Sequence, residues 1–186
     1  MARVIAGMTM SVDGFVADAN RNIERLYPDL GELHATSYMK DMIARTGAVL
    51  MGRRAFAMGD PDWFAGNYEF QVPIFVVTHH PPKKHPKEDD RLTFTFVNDL
   101  AAAVRQAQAA AGDKDVTVIG GASVIQQLVN AGLVDELRLD VMPVVLGDGL
   151  RFLEGVDPER VALEKVDVEQ VGERTSLRYR VTSASP

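Results

Sequence analysis

Four short apolar runs, separated by helical patterns, constrain the fold of this chain more than any other feature of its sequence. The runs cover residues 4–10, 48–51, 74–77 and 116–119. Runs of this length without polar alternation are typical of strands buried on both faces of a sheet. The helical patterns cover residues 32–45, 53–58, 100–111 and 122–131. This alternation predicts an α/β fold whose sheet is mostly parallel over the first two thirds of the chain.

The last third of the chain has a different pattern. The segments 136–145, 162–170 and 175–182 follow one another with only turns between them, which predicts antiparallel edge strands. The sequence as a whole therefore predicts a central mixed sheet, mostly parallel, with flanking helices and a C-terminal antiparallel hairpin. For the helix at 100–111 we expect Asn98 as the N-cap and Gly112 as the stop.

Length, charge and composition limit the classes of function. A chain of 186 residues predicts a single domain spanning residues 1–186. Its 20 Lys and Arg against 26 Asp and Glu give a formal net charge of −6, so the overall charge attracts neither nucleic acid nor an anionic membrane. The absence of cysteine excludes disulfides, thiolate zinc sites, cysteine nucleophiles and iron–sulfur clusters. With no apolar run near the roughly 18 residues of a membrane span and no secretory signal, we expect a cytoplasmic protein.

Three strand ends carry residues suited to an anionic ligand, and the first lies at residues 52–54. Gly52 allows the backbone to approach a ligand, and Arg53 and Arg54 follow it at a helix start. The alternative is that Gly52 only forms a turn and both arginines are solvated.

The second strand end runs through Gly120, Gly121, Ala122 and Ser123 into a helix, whose first amides are suited to a pyrophosphate. The Gly-x-Gly-x-x-Gly spacing of dinucleotide-binding folds is absent, and so is a P-loop. The alternative is a glycine turn without a ligand.

The third strand end carries Thr78 and His79, followed by the basic residues Lys83, Lys84 and His85. These residues are suited to an additional phosphate, and the alternative is a solvated basic loop. No spacing of histidines and carboxylates typical of a metal site accompanies them, so we expect no metal. Phosphate-binding features at three successive strand ends together favour NADPH as the cofactor.

Few acidic residues are placed to protonate a substrate. Asp13 and Gly14 follow the first strand, and the carboxylate of Asp13 is a candidate donor at the mouth of the cleft. The alternative is that Asp13 only shapes a reverse turn, since Asp-Gly is a strong turn signal. Asp29 and Glu32 are the other candidates, with His34 nearby.

Four short motifs occur in a definite order along the chain. They are Met-Ser-Val-Asp-Gly-Phe-Val-Ala at 10–17, Leu-Met-Gly-Arg-Arg-Ala-Phe at 50–56, Val-Ile-Gly-Gly-Ala at 118–122, and Leu-Arg-Leu-Asp-Val-Met-Pro-Val-Val-Leu-Gly-Asp-Gly at 137–149. Together they resemble the dihydrofolate-reductase-like superfamily. The resemblance is greatest to the C-terminal reductase domain of the bifunctional riboflavin-biosynthesis deaminase/reductase (the RibD C-terminal domain) and its stand-alone relatives.

This resemblance implies a three-layer fold with NADPH lying across the carboxyl ends of the strands and a substrate cleft beside the nicotinamide. It places Ala6, Ser11 and Gly14 near the nicotinamide. It also implies phosphate contacts from Gly52, Arg53 and Arg54, adenosine-phosphate contacts from Thr78 and His79, and pyrophosphate contacts from Gly120, Gly121, Ala122 and Ser123. Members of the family commonly form homodimers through their C-terminal strands.

The function implied is hydride transfer from NADPH to a carbonyl or imine carbon of a small heterocyclic substrate, as in 5-amino-6-(5-phosphoribosylamino)uracil reduction. An ordered water or Asp13 then supplies the proton. Dihydrofolate reduction is one alternative, in which Glu32 corresponds loosely in position to the acidic residue that holds the pterin. A non-catalytic nucleotide- or flavin-binding module is another. Two departures from the family pattern are the lack of a deaminase cysteine motif and Ala55 where relatives usually have threonine.

Overall fold

The computed structural model of the protein describes residues 1–59 and 61–183; residues 60 and 184–186 of the predicted domain lie outside the described residues. In chain order the strands are β1 (Val4–Ser11), β2 (Phe15–Ala17), β3 (Thr46–Gly52), β4 (Ile74–Val77), β5 (Phe94–Val97), β6 (Asp115–Ile119), β7 (Glu136–Met142), β8 (Leu150–Arg151), β9 (Val161–Val171) and β10 (Arg174–Ser183). The helices are α1 (Leu30–Ala35), α2 (Ser37–Arg45), α3 (Arg53–Phe56), α4 (Phe64–Asn67, a single irregular turn), α5 (Leu100–Ala111) and α6 (Ala122–Asn130). Single 3-10 turns lie at Glu24–Leu26 and Pro61–Trp63.

Within the described residues, eight strands form one sheet in the order β5-β4-β3-β6-β1-β7-β10-β9. The pairs from β5 through to β7 are parallel, and β10 is antiparallel to both β7 and β9. Strands β2 and β8 form a separate antiparallel pair. The predicted α/β fold, with a mixed, mostly parallel sheet and a C-terminal antiparallel hairpin, is confirmed.

Strand β3 shows how the sheet is buried on both faces. Ala48 and Leu50 belong to one apolar core together with residues of α5 and α6. Val49 and Met51, which point to the opposite face, belong to a second core together with Met39 of α2 and a group of aromatic rings. All four of these β3 side chains are essentially inaccessible to solvent. The predicted burial of this strand on both faces is therefore confirmed, and the sheet lies between two layers.

Two local predictions are wrong. The predicted helix at 32–45 is two helices, because the backbone at Thr36 is extended and its side chain accepts the amide of Met39 at 3.2 Å as the N-cap of α2. The N-cap of α5 is Asp99 and not Asn98: the Asp99 carboxylate accepts the amide of Ala102 at 2.6 Å. Competition between neighbouring polar residues for one cap position decides such boundaries.

The expected position of the C-terminal strands is also corrected. Strands β7 and β10 lie inside the sheet, and β9 alone of the three is an edge strand. β7 pairs in parallel with β1, which precedes it by more than 100 residues, so nothing in its local pattern reveals this partner. The other edge is β5, which the sequence pattern did not predict. In the part of the chain described, no helix is long and apolar enough to cross a bilayer.

Candidate functional site

A cavity of about 1180 Å³ opens along the carboxyl edge of β4, β3, β6 and β1. These four strands are neighbours in the sheet and run parallel, so the residues that follow them meet at one edge. The cavity is lined by the residues of all three predicted strand ends: Gly52, Arg53 and Arg54, then Thr78 and His79, then Gly120, Gly121, Ala122 and Ser123. The structure thus brings these nine residues together, and their contact with a cofactor stays a prediction.

Glycine is needed at Gly52 and Gly120 for a different reason than at Gly121. The amide of Gly52 donates to the carbonyl of Gly120 at 3.2 Å, which ties the two turns together. A Cβ at Gly52 would lie 2.9 Å from Val124 Cγ2. A Cβ at Gly120, which has a φ of +64°, would lie 2.9 Å from Ala55 Cβ. Both glycines are therefore required by packing. A Cβ at Gly121 has no atom within 4 Å, although Gly121 lines the cavity, so here the missing side chain leaves open space for a ligand.

We expect Gly121→Val to weaken NADPH binding about tenfold or more, because the new side chain enters space beside the backbone that a phosphate approaches. The matched variant Gly120→Val should instead lower stability, because it combines a left-handed backbone with a contact to Ala55. Calorimetry with NADPH and thermal unfolding of both variants measure the two effects. If Gly121→Val loses as much stability as Gly120→Val and binds NADPH with unchanged affinity, the result would favour a glycine turn without a ligand.

The charged lining of the cavity has one sign. Arg53 and Arg54 are exposed on its wall, and Arg21, His79 and His80 also line it. Among the described residues around the cavity there is no Asp or Glu. A protein with a net charge of −6 therefore presents a basic surface at this edge, which favours an anionic ligand at short range.

The third strand end is more constrained than its sequence indicates. The Thr78 hydroxyl donates to the carbonyl of His80 at 3.1 Å and accepts the amide of His80 at 3.0 Å, so it shapes the turn. His79 is exposed and lies between the main cavity and a smaller one of about 320 Å³. In the basic loop, Lys84 pairs with Asp62, and His85 Nε2 lies 3.1 Å from Glu88 Oε1. The Asp62 carboxylate therefore neutralises part of the predicted positive charge.

The residues predicted near the nicotinamide belong to β1 and to the turn that follows it. Ala6 is fully buried in β1. The Ser11 hydroxyl is buried, donates to the carbonyl of Phe15 at 3.3 Å and accepts its amide at 3.0 Å, so Ser11 closes the turn that contains Gly14. Among the described cavity-lining residues, none of Ala6, Ser11 and Gly14 occurs. Their contact with a cofactor stays a prediction, and the observed role of Ser11 is to hold the turn.

The carboxylate of Asp13 is bonded to backbone amides and is absent from the described lining of the cavity. Its carboxylate accepts the amides of Leu146 at 3.1 Å and Gly147 at 2.7 Å. The Ser11 hydroxyl and these two amides lower the pKa of Asp13 to about 2. Asp13 is therefore ionised at neutral pH and carries no proton to give to a substrate. The carboxylate joins the first turn to the loop before β8, a contact that neither the donor hypothesis nor the reverse-turn alternative predicted, and a contact between Asp13 and a substrate stays a prediction.

The other candidate acids are also absent from the described lining of the cavity. Glu32 is exposed in the first turn of α1 and is absent from the described cavity lining. Asp29 forms an ion pair with the buried side chain of Arg174, with 2.7 Å between Asp29 Oδ1 and Arg174 Nη2. Within the described residues there is also no group of three His, Cys, Asp or Glu placed to hold a metal ion.

The residues of the cavity wall that sequence reasoning missed include Arg21, Tyr27 and Tyr68. The Tyr68 hydroxyl is buried and has no hydrogen-bond partner among the described residues. Tyr68 packs against Phe64 with ring centroids 5.2 Å apart, and Trp63 adds a partly exposed ring to the same wall. The density of aromatic residues between positions 63 and 70 was the signal available in the sequence, since loops rarely carry so many without a packing or binding reason.

Comparison with known proteins agrees with this geometry. The fold is that of the dihydrofolate-reductase-like class: the dihydrofolate reductase of Enterococcus faecalis complexed with NADP(H) aligns with a TM-score of 0.62 at 17% identity, covering 97% of each chain. Within this class, the model of the RibD C-terminal domain matches residues 2–177, and the chain belongs to that family.

Two further relatives have similar lengths. A putative riboflavin biosynthesis protein from Shewanella sp. PV-4 aligns with a TM-score of 0.77 at 20% identity, covering 98% of this chain and 99% of its own. The uncharacterized protein YyaP of Bacillus subtilis (strain 168) is 28% identical over 180 residues, which are 89% of this chain and 87% of YyaP. The match therefore extends over most of the length of both relatives.

Proposed function

We propose that this protein is an NADPH-dependent reductase that transfers hydride to a carbonyl or imine carbon of a small heterocyclic substrate. Membership of the RibD C-terminal domain family supports an oxidoreductase. The observation that carries the proposal is the cavity across four parallel strand ends, whose described charged lining groups are all basic. This is the arrangement that a dinucleotide with several phosphates requires.

The residues present fit such a cofactor. The cavity volume of about 1180 Å³ exceeds the roughly 300–1,000 Å³ of common ligand pockets, which leaves room for a second ligand. Open space at Gly121 admits a pyrophosphate near the start of α6, while Arg53 and Arg54 would pair with phosphate charge. Thr78 and His79 would lie near the adenosine phosphate. When bound, NADPH supplies the hydride, and the protein supplies its orientation and electrostatic environment.

The second ligand would lie toward β1, where Val16, Ala17, Ile23 and Tyr27 line the cavity. The riboflavin-type substrate, 5-amino-6-(5-phosphoribosylamino)uracil, is the one we propose, because the family model is that of the riboflavin-biosynthesis reductase domain. Since Asp13 is ionised and bonded to the backbone elsewhere, we assign the proton to an ordered water. Dihydrofolate is a weaker candidate substrate, because Glu32 lies outside the described cavity lining.

Two measurements test the proposed function. Calorimetry should show binding of NADPH to the purified protein, and NADPH oxidation should then be followed with 5-amino-6-(5-phosphoribosylamino)uracil and with dihydrofolate. Turnover of the first substrate is expected. Turnover of dihydrofolate alone would make dihydrofolate the substrate in place of the one proposed. Binding of NADPH without turnover of either substrate would favour a non-catalytic module. No uptake of NADPH at millimolar concentration would overturn the proposal.

We also propose that the protein forms a homodimer through the β9–β10 hairpin. The edge strand β9 exposes Leu163, Val166 and Val168, of which Val168 is 52% exposed. Apolar side chains on an exposed edge strand favour pairing with another copy.

In light scattering after size exclusion, Val168→Glu should shift the dimer toward monomer, because it places a charge in the apolar interface. The neighbouring exposed residue supplies the control variant, Glu169→Gln, which should leave the mass unchanged. A wild-type protein that is monomeric at every concentration would contradict this assembly.

A further inference from the structure

The sulfur chemistry of this protein is confined to its methionines. The chain has eight methionines and no cysteine, and the structure describes all eight. Peroxides oxidise thiolates and thioethers, and the reaction at either kind of sulfur depends on its exposure. Since there is no thiol to react first, exposure decides which thioether a peroxide reaches.

Exposure separates Met58 from most of the other methionines. Six of the eight are buried or partly buried, and we call them the shielded methionines: Met8, Met10, Met39, Met42, Met51 and Met142. The two exposed ones are Met1, at the N-terminus, and Met58, which is 67% exposed. Met8 and Met51 also line the cavity, but both belong to the shielded group. Met58 therefore combines an exposed position with a place at the candidate site.

The cavity wall near Met58 is aromatic and closely packed. Trp63 and Phe64 line the same cavity as Met58. The backbone next to Met58 lies against both rings, since a Cβ at Gly59 would be 3.3 Å from Trp63 Cε3 and 3.2 Å from Phe64 Cε2. Oxidation at position 58 would therefore place a polar group on this wall.

Met58 also follows one of the proposed phosphate contacts by one helical turn. The amides of Ala57 and Met58 donate to the carbonyls of Arg53 at 2.9 Å and Ala55 at 3.2 Å, so the chain continues to turn after α3. Residues four apart on such a turn are neighbours on one side of it, and both Arg54 and Met58 line the cavity. Among the described residues no carboxylate lies within salt-bridge distance of Arg54. Its guanidinium can therefore donate to a new acceptor at position 58.

The reaction needs only the thioether and a peroxide. A lone pair on the sulfur attacks one peroxide oxygen, an S–O bond forms and the O–O bond breaks. With hydrogen peroxide, the other oxygen takes the remaining proton and leaves as water. The sulfur loses two electrons and the peroxide gains them. The product is a polar sulfoxide, which methionine sulfoxide reductases return to the thioether.

We infer that Met58 is a site of reversible oxidation by peroxides, and that its sulfoxide weakens binding of the cofactor in the cavity. The sulfoxide oxygen accepts a hydrogen bond from Arg54, which then has fewer donors for a phosphate. The effect on the cofactor rests on the proposed function. The reaction of Met58 ahead of the shielded methionines does not.

Peptide mass spectrometry after limited treatment with hydrogen peroxide tests the site. Met58 should be oxidised at least about fivefold faster than any of the shielded methionines, because peroxide reaches an exposed thioether more readily. Saturating NADP⁺, which has no hydride to give to peroxide, should slow the oxidation of Met58 and leave that of Met1 unchanged. Equal rates at Met58 and at the shielded methionines, or no protection by bound NADP⁺, would overturn the inference.

Calorimetry with NADPH before and after the treatment measures the consequence. Once the peroxide is removed, the affinity of the wild type should be about fivefold lower, as expected for one weakened charge-assisted contact. Treatment with a methionine sulfoxide reductase should restore it. Met58→Leu removes the thioether, so its affinity after treatment should equal its own affinity before treatment. Met42→Leu changes a shielded methionine outside the described cavity lining and is the matched control, which should respond like the wild type.

Two results would overturn the effect on the cofactor. They are an unchanged affinity of the wild type when Met58 is fully oxidised, and an equal loss of affinity in Met58→Leu. Failure of the untreated protein to bind NADPH would overturn the proposed function. In that case the emission of Trp63, the only tryptophan in the sequence, still tests the modification. It should shift on oxidation of the wild type and stay unchanged in Met58→Leu.

Discussion

Asp29→Ala should lower the free energy of unfolding by about 3–5 kcal/mol, the largest single-residue effect on stability that we expect outside the apolar cores. The side chain of Arg174 is 0% exposed, and its Nη2 donates to Asp29 Oδ1 at 2.7 Å. Its Nε and Nη1 have no hydrogen-bond partner among the described residues. Removal of Asp29 would leave this cation buried without its carboxylate.

The position of Asp29 allows the ion pair to be removed without a second structural change. Asp29 precedes α1, but its side chain makes no capping hydrogen bond, and only its backbone carbonyl accepts the amide of Leu33. The substitution therefore removes the ion pair without removing a helix cap. Glu32→Ala, at an exposed carboxylate in α1, should change the free energy of unfolding by no more than about 0.5 kcal/mol and is the control.

A double variant distinguishes the cost of an unpaired buried charge from the cost of lost packing. Asp29→Leu/Arg174→Met replaces both ions with apolar groups, which should recover most of the stability lost in Asp29→Ala. Denaturant unfolding of the wild type, the single variant and the double variant provides the comparison. A loss below about 1 kcal/mol in Asp29→Ala would show that solvent reaches Arg174, in contrast to the burial described.

Arg53→Ala/Arg54→Ala should weaken NADPH binding by about 100-fold or more, the largest effect on binding that we expect. Charge-assisted hydrogen bonds contribute about 1.5–3 kcal/mol each, so the loss of two such contacts amounts to about 3–6 kcal/mol. Both arginines are exposed on the cavity wall, and no described carboxylate lies within salt-bridge distance of either. The double variant should therefore keep the stability of the wild type.

Calorimetry with NADPH and NADH shows which phosphates these arginines contact. A loss for both cofactors indicates the pyrophosphate, and a loss for NADPH alone indicates the additional phosphate. Arg25→Ala/Arg105→Ala removes the same charge from exposed positions outside the described cavity lining and should change affinity little. Unchanged NADPH affinity in the Arg53/Arg54 variant would remove this strand end from the cofactor site.

The three strand ends of the cavity were predictable from the sequence because each depends on local patterns. An apolar run shows where a buried strand ends, and parallel neighbours place their ends at one edge. The helix at 100–111 was predicted with the bounds observed for the same reason, since its residues repeat with a helical period. Gly121, Arg53 and Arg54 were therefore found without knowledge of the strand order.

The roles of Asp13 and Asp29 could not be predicted in this way. Asp13 bonds to the amides of Leu146 and Gly147, and Asp29 pairs with Arg174; in each case more than 130 residues separate the partners. Nothing near either carboxylate in the sequence indicates that it is already engaged. Both were candidate acids because they lie in the loops near the first strand, and the contacts in the folded chain show that each carboxylate already has a protein partner.

The local amino-acid sequence determined which segments are strands, where they end and which strand ends carry residues suited to an anion. It could do so because hydrophobic periodicity and turn-forming residues act over only a few positions. The tertiary structure alone decided that β7 and β10 lie inside the sheet, that Arg21 and Tyr68 reach the cavity, and that its described lining lacks carboxylates. These features depend on pairing and packing between segments far apart in sequence. The free energy of such contacts comes from surfaces that exist only once the chain has folded.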